Sequence, residues 1–240
     1  MGIHGSGTIF FTRCNLRCQY CQNHDISQTD AGDEVESKEL AEIMLDLQDR
    51  GCHNINFVSP SHVVPQILCA VWIAAQAGLT IPLVYNTGGY DSLASLILLD
   101  GVIDIYMPDM KYADSGIATQ LSKIPDYPHL NQDAVKEMHR QVGDLEVDER
   151  GIATRGLLVR HLILPENLAG TDQIVRFLAE EISTQTYLNL MDQYRPAYHA
   201  QQYPKINRPI TRQEYYSAIH FAYDAGLTRL DKRRGAFFNY

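Results

Sequence analysis

The chain has 240 residues, 45% of them hydrophobic and 20% charged, and a formal net charge of −9. Those values fit a globular protein with a substantial core, and one large domain over 1–240 accommodates the length. The acidic balance disfavours nucleic acid as the main partner, because binding a phosphate backbone needs a basic surface.

In chain order, TIFFT (Thr8–Thr12) reads as the first strand. Ser37–Arg50 reads as a helix, with Leu40, Ile43, Met44 and Leu47 on one face and Gly51 as its stop. NINFVS (Asn54–Ser59) is the second strand, and a buried helix follows over His62–Ala77, closed by Gly78. IPLVYN (Ile81–Asn86) is the third strand, with a short helix over Asp91–Leu99. IDIYM (Ile103–Met107) is the fourth. Between Tyr112 and Gly143 the pattern is helical but broken by Pro125 and Pro128. GLLVRHLIL (Gly156–Leu164) is the fifth strand, with its helix over Thr171–Ile182, and TYLNLM (Thr186–Met191) is the sixth. A long Tyr194–Pro209 loop rich in proline and tyrosine precedes a last helix over Thr211–Ala225, where Thr211 and Glu214 form a capping box.

Six strand-then-helix units imply an α/β fold with a parallel sheet covered by helices. Right-handed crossovers between sequential neighbours curl such a sheet into a partial (β/α)6 TIM-like barrel, and a doubly wound open sheet is the alternative. In a barrel, chemistry gathers on the rim after the strand C-termini. The polar residues there are Cys14 to Cys21, Ser59, Ser61 and His62, Asn86 and Thr87, Asp109 and Lys111, Arg160 and His161, and Asp192 to Tyr194.

Three of the five cysteines lie in CNLRCQYC, spaced Cys14-x3-Cys18-x2-Cys21. An odd cysteine count with such clustering suits a reducing, cytoplasmic setting and a metal or redox site better than disulfides. Three buried core thiols are one reading. A structural zinc site closed by His24 is a second, since Cys3His tetrahedra are chemically sound. A [4Fe-4S] cluster with three thiolate ligands and one open iron is a third, and there a small molecule fills the fourth place. Cys52 and Cys69 stand alone and read as core thiols.

The Cys-x3-Cys-x2-Cys spacing after the first strand of a βα chain resembles the radical S-adenosylmethionine (radical SAM) superfamily. CNLRCQYCQN is similar to the pyruvate formate-lyase activating enzymes. NFVSPSHVVPQI, YNTGGYDS, MPDMKY and MDQYRPAY are similar to the PflX-like group related to them. The resemblance implies an enzyme with a [4Fe-4S] cluster on Cys14, Cys18 and Cys21, and S-adenosylmethionine on its open iron. Reductive cleavage then yields a 5′-deoxyadenosyl radical, which abstracts hydrogen from a protein, a peptide or a small molecule. It also implies Tyr20 near the adenine through its backbone, and Asn86, Thr87, Met107, Asp109 and Lys111 around the cofactor and a monovalent cation. Arg160 would reach the cofactor carboxylate or a ribose hydroxyl; a barrel-end ion pair is its other reading. A flavodoxin or ferredoxin-type protein is the implied electron donor, with no nucleic acid and no membrane as partner.

Some positions depart from that pattern. Ser59-Pro60-Ser61 stands where a Gly-Gly-Glu-like segment is common, so Ser59 or Ser61 would accept the hydrogen bond of the methionyl amino group. Arg13 stands where the activases place glycine before the first cysteine. Gly88-Gly89 permits close backbone approach to a ligand, or marks a turn. Tyr194 and Arg195 would touch substrate or adenine, while Tyr198 and Tyr203 pack their loop onto the rim. Neither a membrane span nor a secretory leader is expected, the match of the first residues to a myristoylation pattern reads as chance, and Lys232-Arg233-Arg234 reads as a solvated tail.

Overall fold

Short runs rich in β-branched and aromatic residues form the strands, and the amphipathic segments between them form the helices. The computed structural model describes residues 2–231, so the Lys232-Arg233-Arg234 tail lies outside the described residues. The elements follow in chain order: β1 (Gly7–Phe10), α1 (His24–Ser27), α2 (Ser37–Asp49), β2 (Ile55–Val58), α3 (Val64–Gln76), β3 (Leu83–Thr87), α4 (Leu93–Leu98) and β4 (Ile105–Pro108). Next come α5 (Ser115–Ser122), α6 (Tyr127–Val142), β5 (Glu146–Val147), β6 (Ala153–Leu162), α7 (Thr171–Phe177), β7 (Tyr187–Met191) and α8 (Arg212–Asp224).

Six strands run parallel in the order β1-β2-β3-β4-β6-β7, the sequential order that curls a sheet into a barrel. The fold is therefore the partial TIM-like barrel expected. One strand was not expected: the two-residue β5 pairs antiparallel with the start of β6. Among the described residues, β1 and β7 do not pair, which leaves the barrel open between them.

Most boundaries fall within two residues of the sequence reading. The broken helical stretch resolves into α5 and α6, with Pro128 in the first turn of α6, where its missing N–H costs no intrahelical bond. The helix over Thr171–Ile182 is α-helical to Phe177 and widens into a π turn over Leu178–Ile182. The Thr211–Glu214 capping box of α8 forms as expected. Cys69 is exposed on α3, because Val64, Ile67, Ala70 and Ala74 form that helix's buried stripe. It is not the core thiol the sequence led us to expect, and Cys52 is only partly buried.

Strand alternation sorts β6 into two faces. Arg160 takes part in the polar lining of the barrel, while its neighbour His161 is fully buried. The His161 Nδ1 lies 2.6 Å from the Met110 carbonyl, which can only accept, so Nδ1 carries the proton. Nε2, 2.8 Å from Thr171 Oγ1, then accepts from that hydroxyl. Burial drives the His161 pKa down to about 4, against the favourable Met110 carbonyl and Asp109 charge. In the unfolded chain the ring titrates near 6.5, so only the unfolded state takes up a proton as pH falls from about 6.5 to about 4. The expected result is a loss of about 3 kcal/mol of stability across that window, flat above and below it. Denaturant melts of wild type and His161→Gln between pH 7.5 and 4 check this; the variant should lose the slope.

Candidate functional site

The cysteine loop runs from the end of β1 into α1 and is held by backbone bonds rather than by its own secondary structure. Cys14 N–H donates to the Ser27 carbonyl at 2.9 Å. Arg17 and Gln19 N–H groups donate to the carbonyls of Ser122 and Leu121, at 3.2 and 2.7 Å. Those carbonyls belong to the last turn of α5, which has no intrahelical donors for them. Leu16 is almost fully buried and anchors the loop in the core.

Arg13, directly before Cys14, has φ +60°, and Ser59 has φ +59°. Both lie in the left-handed region that glycine adopts freely and other residues adopt at a cost. These are two of the positions where the resemblance pointed to glycine.

Each cysteine sulfur has a hydroxyl or amide partner. Cys18, buried, accepts from Ser122 Oγ at 3.0 Å. Cys21 lies 3.2 Å from Ser27 Oγ. Cys14 accepts from the Leu16 N–H at 3.5 Å and lies 3.8 Å from Asn15 Oδ1. Burial pushes the bare Cys18 thiol up to about 11, and Cys14 up as well; the nearby Lys111 charge works against that in both cases. Thiolate ligands in this place therefore depend on positive charge close by.

That charge comes from a buried triad. Asp109 accepts from Lys111 Nζ at 2.6 Å on one oxygen, and from Arg160 Nε and an Arg160 terminal nitrogen at 2.9 and 2.8 Å on the other. Burial opposes the Asp109 charge, but Arg160 and Lys111 outweigh it and hold the carboxyl below its usual range. Burial likewise opposes the Lys111 charge, and Asp109 and the Cys18 sulfur raise its pKa regardless. The triad has two cations and one anion, so it presents a net positive charge to the cysteines. Asp109 has both oxygens engaged by basic groups, which is the barrel-end ion pair reading of Arg160. A monovalent cation there would have to displace Lys111.

The remaining predicted residues fall into three places. Ser61 and Thr87 join a hydroxyl knot, with Ser61 Oγ 3.0 Å from Thr87 Oγ1 and Thr87 donating to buried Asp91 at 2.6 Å. Tyr85 also donates to Asp91 at 2.8 Å, and burial raises the Asp91 pKa against these donors. Asn86 lines the barrel interior with Asn56, Met107, Arg160 and Asn189, around a cavity of about 550 Å3. The Tyr20 side chain is turned into the core, its hydroxyl 2.6 Å from that of Tyr112, so only its backbone is free for the rim.

Gly88-Gly89 serves the protein's own packing. A Cβ on Gly89, whose φ is +79°, would strike the Asp109 carbonyl and the Asn131 side chain. Tyr194 is buried and bonds the Ile206 carbonyl at 2.6 Å, so it packs its loop instead of facing a substrate. Tyr198 stacks on His24 with ring centroids 4.8 Å apart, and Tyr203 lies 3.1 Å from Lys123 Nζ. Among the described residues, no three His, Cys, Asp or Glu side chains close around a single ion position. Asp91, Ser27, Ser122 and Tyr112 carry much of this site, and the sequence reading singled out none of them. For Asp91 a signal existed, a carboxylate four residues after Thr87 in YNTGGYDS; the other three had none.

Residues 8–100 match the family model described as the Radical SAM superfamily. The chain is 33% identical over 225 residues to the uncharacterized protein MJ0674 of Methanocaldococcus jannaschii, covering 90% of this chain and 62% of that protein. It thus spans under two thirds of the curated relative's length. Its fold is similar to a domain of pyruvate-formate lyase-activating enzyme from Bacteroides vulgatus, at 13% identity and a TM-score of 0.51, over 74% of this chain and 96% of that one. It is also similar to Streptococcus suis SuiB bound to S-adenosylmethionine, at 11% identity and a TM-score of 0.60, over 93% of this chain and 49% of that one. The segment that matches the radical SAM superfamily model, residues 8–100, runs through the three cysteines at Cys-x3-Cys-x2-Cys spacing on the first loop of this barrel.

Proposed function

We propose that the chain holds a [4Fe-4S] cluster on Cys14, Cys18 and Cys21 and uses it to cleave S-adenosylmethionine reductively to a 5′-deoxyadenosyl radical. The observation that carries this reading is the set of three thiols on one rim loop, with the Lys111 charge of the Asp109–Lys111–Arg160 triad acting on Cys14 and Cys18. Thiols pushed up by burial need such a neighbour to bind metal as thiolates. The donor set suits a multi-iron cluster, since three thiolates hold three corners of the cube and leave one iron open. When bound, the cluster supplies one electron and an open iron; the protein supplies position and shielding. Lys111 and Arg160 would hold the cofactor carboxylate by charge-assisted hydrogen bonds. In the Ser61–Thr87–Asp91 knot the Ser61 oxygen would accept from its amino group, since Thr87 donates to Asp91 and already accepts from Ser61 and the Gly89 N–H.

The substrate would enter the barrel cavity. Its lining is mostly apolar side chains and carboxamides, with Asn56 on β2, Asn86 on β3 and Asn189 on β7, and with Arg160 shared between Asp109 and the cofactor carboxylate. The Asn56 Oδ1 is buried with no partner, an acceptor waiting for a donor. Such a lining favours a neutral, amide-bearing substrate over a phosphorylated one, and an extended peptide segment meets it well. Activation of a glycyl-radical protein belongs to that class. A flavodoxin or ferredoxin-type donor would provide the electron.

Electron paramagnetic resonance of anaerobically reconstituted, reduced protein, with and without S-adenosylmethionine, tests the proposal. The expected result is a [4Fe-4S]+ signal that changes on adding the cofactor. Tightly held zinc with no cluster would overturn it.

A further inference from the structure

Two serines from different helices each reach one of the cysteines. Ser27 of α1 lies 3.2 Å from Cys21, and Ser122 at the end of α5 lies 3.0 Å from Cys18. Ser122 has no solvent exposure, and Ser27 almost none. Behind Ser122 stands a buried chain of hydroxyls: Tyr112 lies 2.7 Å from Ser122, and Tyr20 lies 2.6 Å from Tyr112.

Chemistry sets the direction of this chain once Cys18 is a thiolate. A thiolate can only accept, so Ser122 must donate to sulfur. Its oxygen then accepts from Tyr112, whose oxygen accepts from Tyr20. Three donors point one way toward Cys18, and each polarises the next.

Resting on the cluster reading above, we infer that Ser27 and Ser122 are positioning residues that donate to the Cys21 and Cys18 sulfurs that would bear the cluster, with Tyr112 and Tyr20 locking the Ser122 donor. Hydrogen bonds to sulfur stabilise the more negative, reduced state of an iron–sulfur cluster and so raise its potential. The collar thereby eases reduction by the electron donor and holds the thiolates in a site whose burial disfavours them.

The test is a redox titration with dithionite, followed by electron paramagnetic resonance, of reconstituted wild type and variants. Ser122→Ala should keep its full iron content and shift the midpoint potential to a more negative value. Tyr112→Phe should shift it less, in the same direction, because Ser122 keeps its hydroxyl but loses its orientation. Ser122→Thr should restore most of the wild-type potential. Wild-type potentials in Ser122→Ala and Ser27→Ala with full clusters would overturn the inference. Should Ser122→Ala fail to load iron, an unchanged potential in both Tyr112→Phe and Ser27→Ala would overturn it equally. A wild-type protein that assembles no cluster would instead overturn the reading beneath it, and this inference with it.

Discussion

Cys18→Ala should assemble no stable [4Fe-4S] cluster and lose S-adenosylmethionine cleavage by well over about 100-fold, a factor already reached by losing supporting contacts alone at metal sites. Cys18 is the most buried of the three cysteines, and its sulfur receives the Ser122 donor. Two thiolates cannot hold three corners of the cube, and the lost sulfur also leaves Ser122 and Tyr112 without an acceptor at the end of their chain. His24 offers no substitute, because its Nδ1 lies 3.3 Å from the Cys21 carbonyl and its ring is stacked on Tyr198. Iron and sulfide analysis after reconstitution, together with the yield of 5′-deoxyadenosine, measures the effect. Full cleavage activity in Cys18→Ala would remove the assignment of this loop as the cluster site. His24→Ala in parallel should load iron normally; under a zinc reading it would instead unfold.

Asp109→Ala should destabilise the cluster-free protein by about 3 kcal/mol, since removing one partner of a buried ion pair leaves uncompensated charge behind. The Asp109 side chain is 13% exposed, with Lys111 at 17% and Arg160 at 25%. Without the carboxylate, two cations face each other in a space with little water. Asp109→Asn should cost nearly as much, because the amide keeps the shape but not the charge. Adding Lys111→Met to Asp109→Asn should recover part of the loss, as it removes one of the two stranded cations. Urea melts of the cluster-free variants at pH 7 separate this effect from any loss of cofactor. The pH dependence has a definite sign. The folded Asp109 pKa lies below its unfolded value, so its contribution is present above the unfolded pKa near 4 and is lost as pH falls through the folded one. It therefore adds to the acid loss from His161, but at lower pH. An Asp109→Ala variant with wild-type stability would mean that the triad is a solvated surface contact.

The sequence carried the fold well because the parallel strands are buried apolar runs and the helices are amphipathic. Both are local patterns, legible from one segment at a time. The β3 segment LVYNT, buried at every position, was read correctly as a strand for that reason. β5 escaped because two exposed residues, Glu146 and Val147, have no local pattern at all; they form a strand only because β6 offers them an edge. Cys69 was misplaced because a uniformly apolar helix such as α3 does not declare which side faces the core.

The site divides the same way. Cys14, Cys18 and Cys21 were legible because their spacing lies within one loop, and the rim residues were legible because barrel strands put their ends on one side. What those side chains do to one another was not legible. Asp109 meets Arg160 across 51 residues, and Ser122 reaches Cys18 across 104. The sequence offers Asp109 for a cation or for the cofactor's amino group; in the structure its two oxygens are engaged by Lys111 and Arg160. The sequence by itself determined the barrel, the cysteine loop and the set of polar groups at its rim, because each is encoded by residues near one another in the chain. Only the tertiary structure decided which of those groups are already paired, because hydrogen bonds and ion pairs depend on distances of about 3 Å. Such distances between remote residues exist only once the sheet has closed around them.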